Sequence, residues 1–167
     1  MERLWTPWRL AYVTDASRVP PDCIFCAAAL AASSEPLVVH TGRHAFIILN
    51  KFPYNNGHLM VVPRRHAARL AELEPDELLE VMTLAQAVER ALMQVYRPHG
   101  FNMGINLGKP AGAGIADHLH LHVVPRWDGD TSFMTVFGET RVLPEELLVT
   151  AGRVREALGR LLNAPAT

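Results

Sequence analysis

Basic residues are in no excess in this chain. Lysine and arginine total 16 against 17 acidic residues, a net charge of -1, so the electrostatic footprint of a protein that binds duplex nucleic acid through its phosphates is missing. No apolar run reaches the ~18 residues that a membrane span needs. The opening MERLWTPWRLAYV places charges and prolines where a secretory leader would be continuously apolar. The expectation is a cytoplasmic protein with no membrane or nucleic-acid partner. Cysteine is scarce: Cys23 and Cys26 are too few and too close for a disulfide framework, leaving metal binding, redox chemistry or no role. What is abundant is apolar side chain, 49% of 167 residues, enough for one domain with a sizeable core.

The pattern along the chain predicts an α+β domain, with an antiparallel sheet of about five strands packed against two main helices. An N-terminal arm, residues 1–22, carries Trp5, Trp8, Arg9 and Tyr12. Alanine-rich residues 27–32 suit one or two helical turns. Apolar stretches at 37–40, 44–50, 57–63 and 101–107 read as strands, the second and third joined by a Pro/Asn-rich connection. A helix is expected from about Glu74-Pro75-Asp76-Glu77 to residue 97, with Leu78, Met82, Ala85, Val88, Leu92 and Val95 on its apolar face. A second helix is expected over 144–162, with Leu148, Ala151, Val154, Leu158 and Leu161 inward. Arg64, Arg65, Arg153 and Arg155 read as solvated, and His58 as a packed histidine. No internal repeat or second domain is visible.

The informative stretch is His118-Leu119-His120-Leu121-His122-Val123-Val124. Strand alternation would put the three imidazoles on one face and Leu119, Leu121 and Val123 on the other. Alternating histidines can converge on a metal, or can divide nucleophilic and acid–base work around an anion. The preceding run Lys109-Pro110-Ala111-Gly112-Ala113-Gly114 favours an anion, because a glycine-rich loop lets main-chain N–H groups approach phosphate oxygens. Asn106 and Lys109 stand at its mouth as donor and cation. Cys23 and Cys26 have the spacing that lets two thiolates bind one zinc.

The histidine run resembles the H-φ-H-φ-H-φ-φ signature of the histidine triad superfamily of nucleotidyl hydrolases and transferases. Asn50, the strand Gly57 to His66 and the Cys-x-x-Cys pair resemble further parts of that family, over about residues 23–127. Trp-x-Pro-Trp-Arg-x-x-Tyr at 5–12 together with NLGKPAGAGIADHLHLHVVPRWDGD resembles the bacterial diadenosine polyphosphate phosphorylase branch. Gly114-Ile115 departs from the polar pair that many hydrolase members carry there, and Ser132 and Thr135 depart from the branch pattern.

The resemblance implies a single domain of this fold and a homodimer or higher homo-oligomer in which subunit sheets join. It implies that His120 attacks the α-phosphorus of a nucleotide, while His122 and Asn106, helped by N–H groups of Gly112, Ala113 and Gly114 and by Lys109, stabilise its oxygens. Asn50 would meet the ribose and Trp127 would border the pocket, with Phe25, Phe46 and Ile48 candidates for the base. His66 and His118 would complete a structural zinc site with Cys23 and Cys26. The implied reaction is phosphorolysis of a dinucleoside polyphosphate, diadenosine tetraphosphate giving ATP and ADP with inorganic phosphate as acceptor. The alternatives are hydrolysis by the same route, a nucleotide-sensing module with little turnover, and a metalloenzyme using all three triad histidines as ligands.

Overall fold

The computed structural model describes residues 23–130 and 145–163; the expected arm at 1–22, and Ser132 and Thr135, lie outside them. Five strands, β1 (Val38–Thr41), β2 (Ala45–Leu49), β3 (Leu59–Pro63), β4 (Gly100–Ile105) and β5 (Leu121–Arg126), form one sheet in the order β1-β2-β3-β5-β4, every pair antiparallel. Among the described residues three α-helices accompany it: α1 (Ile24–Leu30), α2 (Pro75–Tyr96) and α3 (Leu147–Leu162). The expected α+β architecture, with two main helices, is the observed one.

Alternation sorts the sheet into two faces. Ala45, Ile47 and Leu49 of β2, Leu59 and Val61 of β3, and Leu121 and Val123 of β5 join Val81, Leu84, Val88, Leu92, Val154 and Leu158 in one buried cluster. Truncating a large member of such a core to alanine costs about 2–5 kcal/mol. The other face carries Phe46, Ile48, Met60 and Val62, covered by Phe25 and Ala28 of α1. Because Met60 pairs with His122, the histidine side of β5 continues this second face, beyond the ground held by α1.

Helix α2 begins at Pro75, and the Glu77 carboxylate accepts the Glu74 N–H at 2.8 Å. Its inward stripe is Glu77, Val81, Leu84, Ala85, Val88, Ala91 and Leu92, so Met82, expected inside, is instead 58% exposed. A helix of 3.6 residues per turn centred on 81, 84 and 88 turns 82 outward. The same shift applies to α3, where Thr150, Ala151, Val154, Ala157 and Leu158 are buried and Leu148 is 61% exposed.

The four arginines are exposed, as expected of solvated positions, and each also reaches back to the fold. Arg65 grips buried Glu77 through Nε and Nη2 at 2.9 and 2.6 Å. Arg155 donates to the Pro36 and Val38 carbonyls, both at 3.0 Å, Arg153 pairs with Glu145 at 2.6 Å, and Arg64 reaches the Gly42 carbonyl at 3.2 Å. Each donates to a carbonyl or carboxylate elsewhere in the fold, two of them to carboxylates as charge-assisted pairs.

Candidate functional site

The expected strand at the histidine run starts later than alternation alone suggests. β5 begins at Leu121, so His122 is the one triad member inside it, and His118 and His120 lie on the irregular chain just before. The three still gather on one side: His120 and His122 have ring centroids 4.8 Å apart, and the Phe25 ring sits 5.4 Å from His118 and 5.0 Å from His120. Leu119 turns away into a small cluster with Ala67 and Leu73.

The first two triad rings are each held by a carbonyl oxygen, which can only accept, and that fixes where the proton sits. For His118, Nε2 is 2.8 Å from the Pro63 carbonyl oxygen; it must donate, which leaves a lone pair on Nδ1. For His120, Nδ1 is 2.8 Å from the His118 carbonyl oxygen; it must donate, which leaves the lone pair on Nε2. Burial pushes the His120 imidazole below its ordinary value, against the opposing pull of that carbonyl, so the ring is neutral at neutral pH. A neutral, oriented imidazole with its lone pair on Nε2 is a competent nucleophile.

The third assignment comes from a histidine the sequence reading placed in the core. His58 is fully buried, as expected of a packed residue, and it also touches the triad: its Nε2 lies 2.9 Å from His122 Nδ1. The Tyr54 main-chain N–H donates to His58 Nδ1 at 3.1 Å. His58 therefore carries its proton on Nε2 and gives it to His122 Nδ1, which leaves the His122 proton on Nε2, a hydrogen-bond donor. The Tyr54 ring packs 4.7 Å from His58 and 6.0 Å from His122. The available signal in the sequence was position: alternation puts His58 on the sheet face opposite Leu59 and Val61, the face that also carries His122.

The two cysteines meet the other end of the run. His118 Nδ1 is 3.2 Å from Cys23 Sγ and 3.6 Å from Cys26 Sγ, and His66 Nδ1 is 3.3 Å from Cys26 Sγ. One ligand atom from each of Cys23, Cys26, His66 and His118 lies within 4.8 Å of all the others. Two sulfurs and two imidazole nitrogens, one with its lone pair already turned toward the sulfurs, suit a tetrahedral closed site. Among the described residues this is the one such group, so the three triad histidines do not form a ligand set of their own.

The remaining expected residues fall around this centre. Asn50 directly follows β2, where its Oδ1 accepts the Phe52 N–H at 2.9 Å and its Nδ2 lies 3.4 Å from His58 Nδ1, so part of its hydrogen-bonding capacity is spent locally. Asn106 directly follows β4, whose Ile105 pairs with Leu121, the neighbour of His120. Lys109 is exposed and opens a 3-10 turn closed by Gly112 at φ 89°. The loop amides are partly used within the loop: Gly112 N–H donates to Lys109 O at 2.9 Å and Ala113 N–H to Gly108 O at 3.3 Å. Gly114 and Ile115 are half-buried, the latter against the α1 cluster. Phe46 and Ile48 belong to that same cluster, which favours their role as core. Trp127 follows β5, its N–H given to Asp130 at 3.1 Å.

Comparison with known proteins bears on this geometry. Residues 32–129 match the model of the HIT domain. The chain is 44% identical over 154 residues to the AP-4-A phosphorylase of Mycobacterium tuberculosis, covering 88% of this chain and 79% of that one. Among solved structures, a zinc-bound histidine triad family protein from Mycobacterium smegmatis superposes with a TM-score of 0.68 at 27% identity, over 84% of this chain and 95% of that one. A histidine triad nucleotide-binding protein from Sulfolobus tokodaii gives 0.67 at 26% identity, over 83% and 93%.

Proposed function

The chain belongs to the histidine triad (HIT) family, and on that premise we propose that it is a nucleotidyl-transferring enzyme that cleaves diadenosine tetraphosphate by phosphorolysis. The observation that carries the reading is the tautomer pattern: a lone pair on His120 Nε2 beside a proton on His122 Nε2. His120 Nε2 attacks the α-phosphorus of one adenylate, the bond to the bridging oxygen breaks, and ATP departs. Inorganic phosphate then attacks the adenylyl-imidazole, forms ADP and returns His120 to its starting state. His122 Nε2–H, Asn106, the Gly114 amide and Lys109 meet the phosphate oxygens as charge gathers on them, with Gly112 and Ala113 shaping the loop that presents them. Asn50 offers its remaining amide groups to the ribose, and Trp127 borders the pocket.

Zinc is the metal we assign to Cys23, Cys26, His66 and His118, on the strength of their S₂N₂ donor set. Its role is structural, tying α1 to the chain that carries His120. We further infer a single domain over 1–167, with 1–22 as an arm, and a homo-oligomer. The outer edge of β4, where Asn102, Met103 and Gly104 are exposed, supports association through joined sheets. No described helix is long and apolar enough to cross a membrane; a cytoplasmic location is the reading that accompanies the nucleotide substrate.

Incubating the protein with diadenosine tetraphosphate, with and without isotopically labelled phosphate, tests the activity. Phosphorolysis yields ATP and labelled ADP in equal amounts only when phosphate is present. Products without phosphate replace it with hydrolysis, and no product in either tube overturns the enzyme reading in favour of a nucleotide-sensing module.

A further inference from the structure

The amide that fixes the His58 tautomer belongs to a short loop, residues 51–58, and that loop is tied to the far end of β5. Asn55 makes the tie. Its Nδ2 donates to the Pro125 carbonyl at 3.1 Å and to Asp130 Oδ2 at 2.8 Å, so both amide hydrogens are engaged. Asp130 is itself locked by Arg126, whose Nε and Nη2 reach its two oxygens at 2.6 and 2.7 Å. That guanidinium, the Trp127 N–H and the Asn55 amide hold the carboxyl far below the usual carboxylate range. On its other side, the Asn55 carbonyl accepts the His58 main-chain N–H at 3.1 Å.

We propose that Asn55 is a positioning residue for phosphoryl transfer: by clamping the 54–58 turn to the Arg126–Asp130 pair it sets the His58 proton, and through it the proton on His122. The proposal rests on the reading of His122 as a donor to phosphate oxygens. The path has four steps, each a hydrogen bond: Asp130 to Asn55, Asn55 to the His58 main chain, Tyr54 N–H to His58 Nδ1, and His58 Nε2–H to His122 Nδ1. Without the clamp, Tyr54 N–H is no longer held at His58 Nδ1. His58 Nδ1 is then left with the longer contact to the Asn50 amide, at 3.4 Å, as its remaining donor, so His58 can carry its proton on either nitrogen, and each choice forces the same tautomer on His122. Only one of the two leaves a donor at His122 Nε2. Gly57 shows how narrowly the turn is built: it sits at φ +77°, and a Cβ there would lie 3.1 Å from Leu92 Cδ2 and 3.3 Å from Tyr96 Cε2.

The test is Asn55→Ala, followed by two measurements on the whole protein. The first is the ring-nitrogen NMR spectrum of ¹⁵N-histidine-labelled protein without substrate. The wild type should show His120 protonated at Nδ1 and His122 at Nε2; the variant should keep the first and show His122 as a mixture. The second is steady-state kinetics, where kcat should fall about 10-fold or more with KM little changed, the scale set by partners that orient a reacting group. A variant with wild-type tautomers overturns the proposal even if it is slower, because that result makes Asn55 a purely structural residue. So does an altered tautomer with unaltered kcat, or a wild type whose His122 is not protonated at Nε2. If Asn55→Ala is unfolded at the temperature used, Asn55→Ser, which keeps a short polar side chain, is read by the same criteria. Should the wild type turn over no dinucleotide, the tautomer pattern still decides whether Asn55 sets the proton, so failure of the activity and failure of this proposal remain distinct.

Discussion

The carbonyl oxygen of His118 lies 2.8 Å from Nδ1 of His120, while the His118 ring faces the thiols of Cys23 and Cys26. One residue thus serves two neighbours, its side chain completing a four-residue cluster and its main chain orienting the ring two positions on. The two roles use different atoms and do not compete.

Replacing His120 by Gly should abolish the covalent step while leaving the fold intact, because its ring contacts only Phe25 and His122 among the ring pairs described. Turnover should fall by roughly 10³-fold or more. Rapid acid quench and mass spectrometry check the origin of the loss: the wild type should carry an adenylyl adduct during turnover and His120→Gly none.

His122→Ala removes one preorganised donor, a loss that commonly costs about 10²–10³ in kcat. His58→Ala should cost less, about 10–100-fold, since His122 keeps its ring and loses only the partner that fixes its proton. The double variant should be no slower than His122→Ala alone, because both act through one donor. Additive losses in kcat would show that His58 acts elsewhere.

Metal removal should lower stability and restore it on zinc addition. With free zinc near 1,000 times its Kd the stabilisation is about 4 kcal/mol, or roughly 8–16 °C in Tm for a domain of this size. Burial and the neighbouring Cys23 push the Cys26 thiol up from its ordinary value, so binding must expel a proton and affinity should weaken as pH falls. Scanning calorimetry with and without a chelator, and metal content of Cys23→Ser, are the checks; metal at full occupancy in that variant would contradict the ligand set.

Glu77 is held at about 2 by Arg65 and by the Glu74 N–H. A carboxylate lowered in the folded state stabilises the protein above its unfolded value, near 4.5, and that contribution drains away as pH falls toward about 2. Glu77→Gln should destabilise the protein at pH 7 by about 1–3 kcal/mol, the scale of a hydrogen bond to a charged group. Its urea midpoint should then vary less than the wild type's between pH 4.5 and 2.5.

The strands, both long helices and the family were legible in the sequence because each rests on local periodicity or on a compact motif. Alternation in 118–124 and the 3.6-residue period of 81–92 needed no tertiary knowledge. Met82 and Leu148 were misplaced because a period fixes spacing before it fixes phase, and the phase is set by the sheet beneath. His58 and Asn55 were beyond reach for another reason. Their partners, His122 and Asp130, lie 64 and 75 positions away in the chain, and nothing local distinguishes a buried histidine that orients another from one that merely fills space. The partners of the exposed arginines escaped likewise: Arg155 finds its carbonyls 117 and 119 positions away.

Placing β5 between β3 and β4 has a consequence for the order in which the protein comes into being. Cys23, Cys26 and His66 leave the ribosome well before His118, so three of the four residues of the candidate metal cluster precede the one that completes it. The segment that delivers it also brings His120, the proposed nucleophile, and the strand that follows must insert between two partners made earlier. Pairings this distant form late, after the entropy of closing the intervening chain has been overcome. On the proposed assignments, most of the metal cluster is made before the nucleophile, and reactivity toward nucleotides begins only when the last central strand is in place.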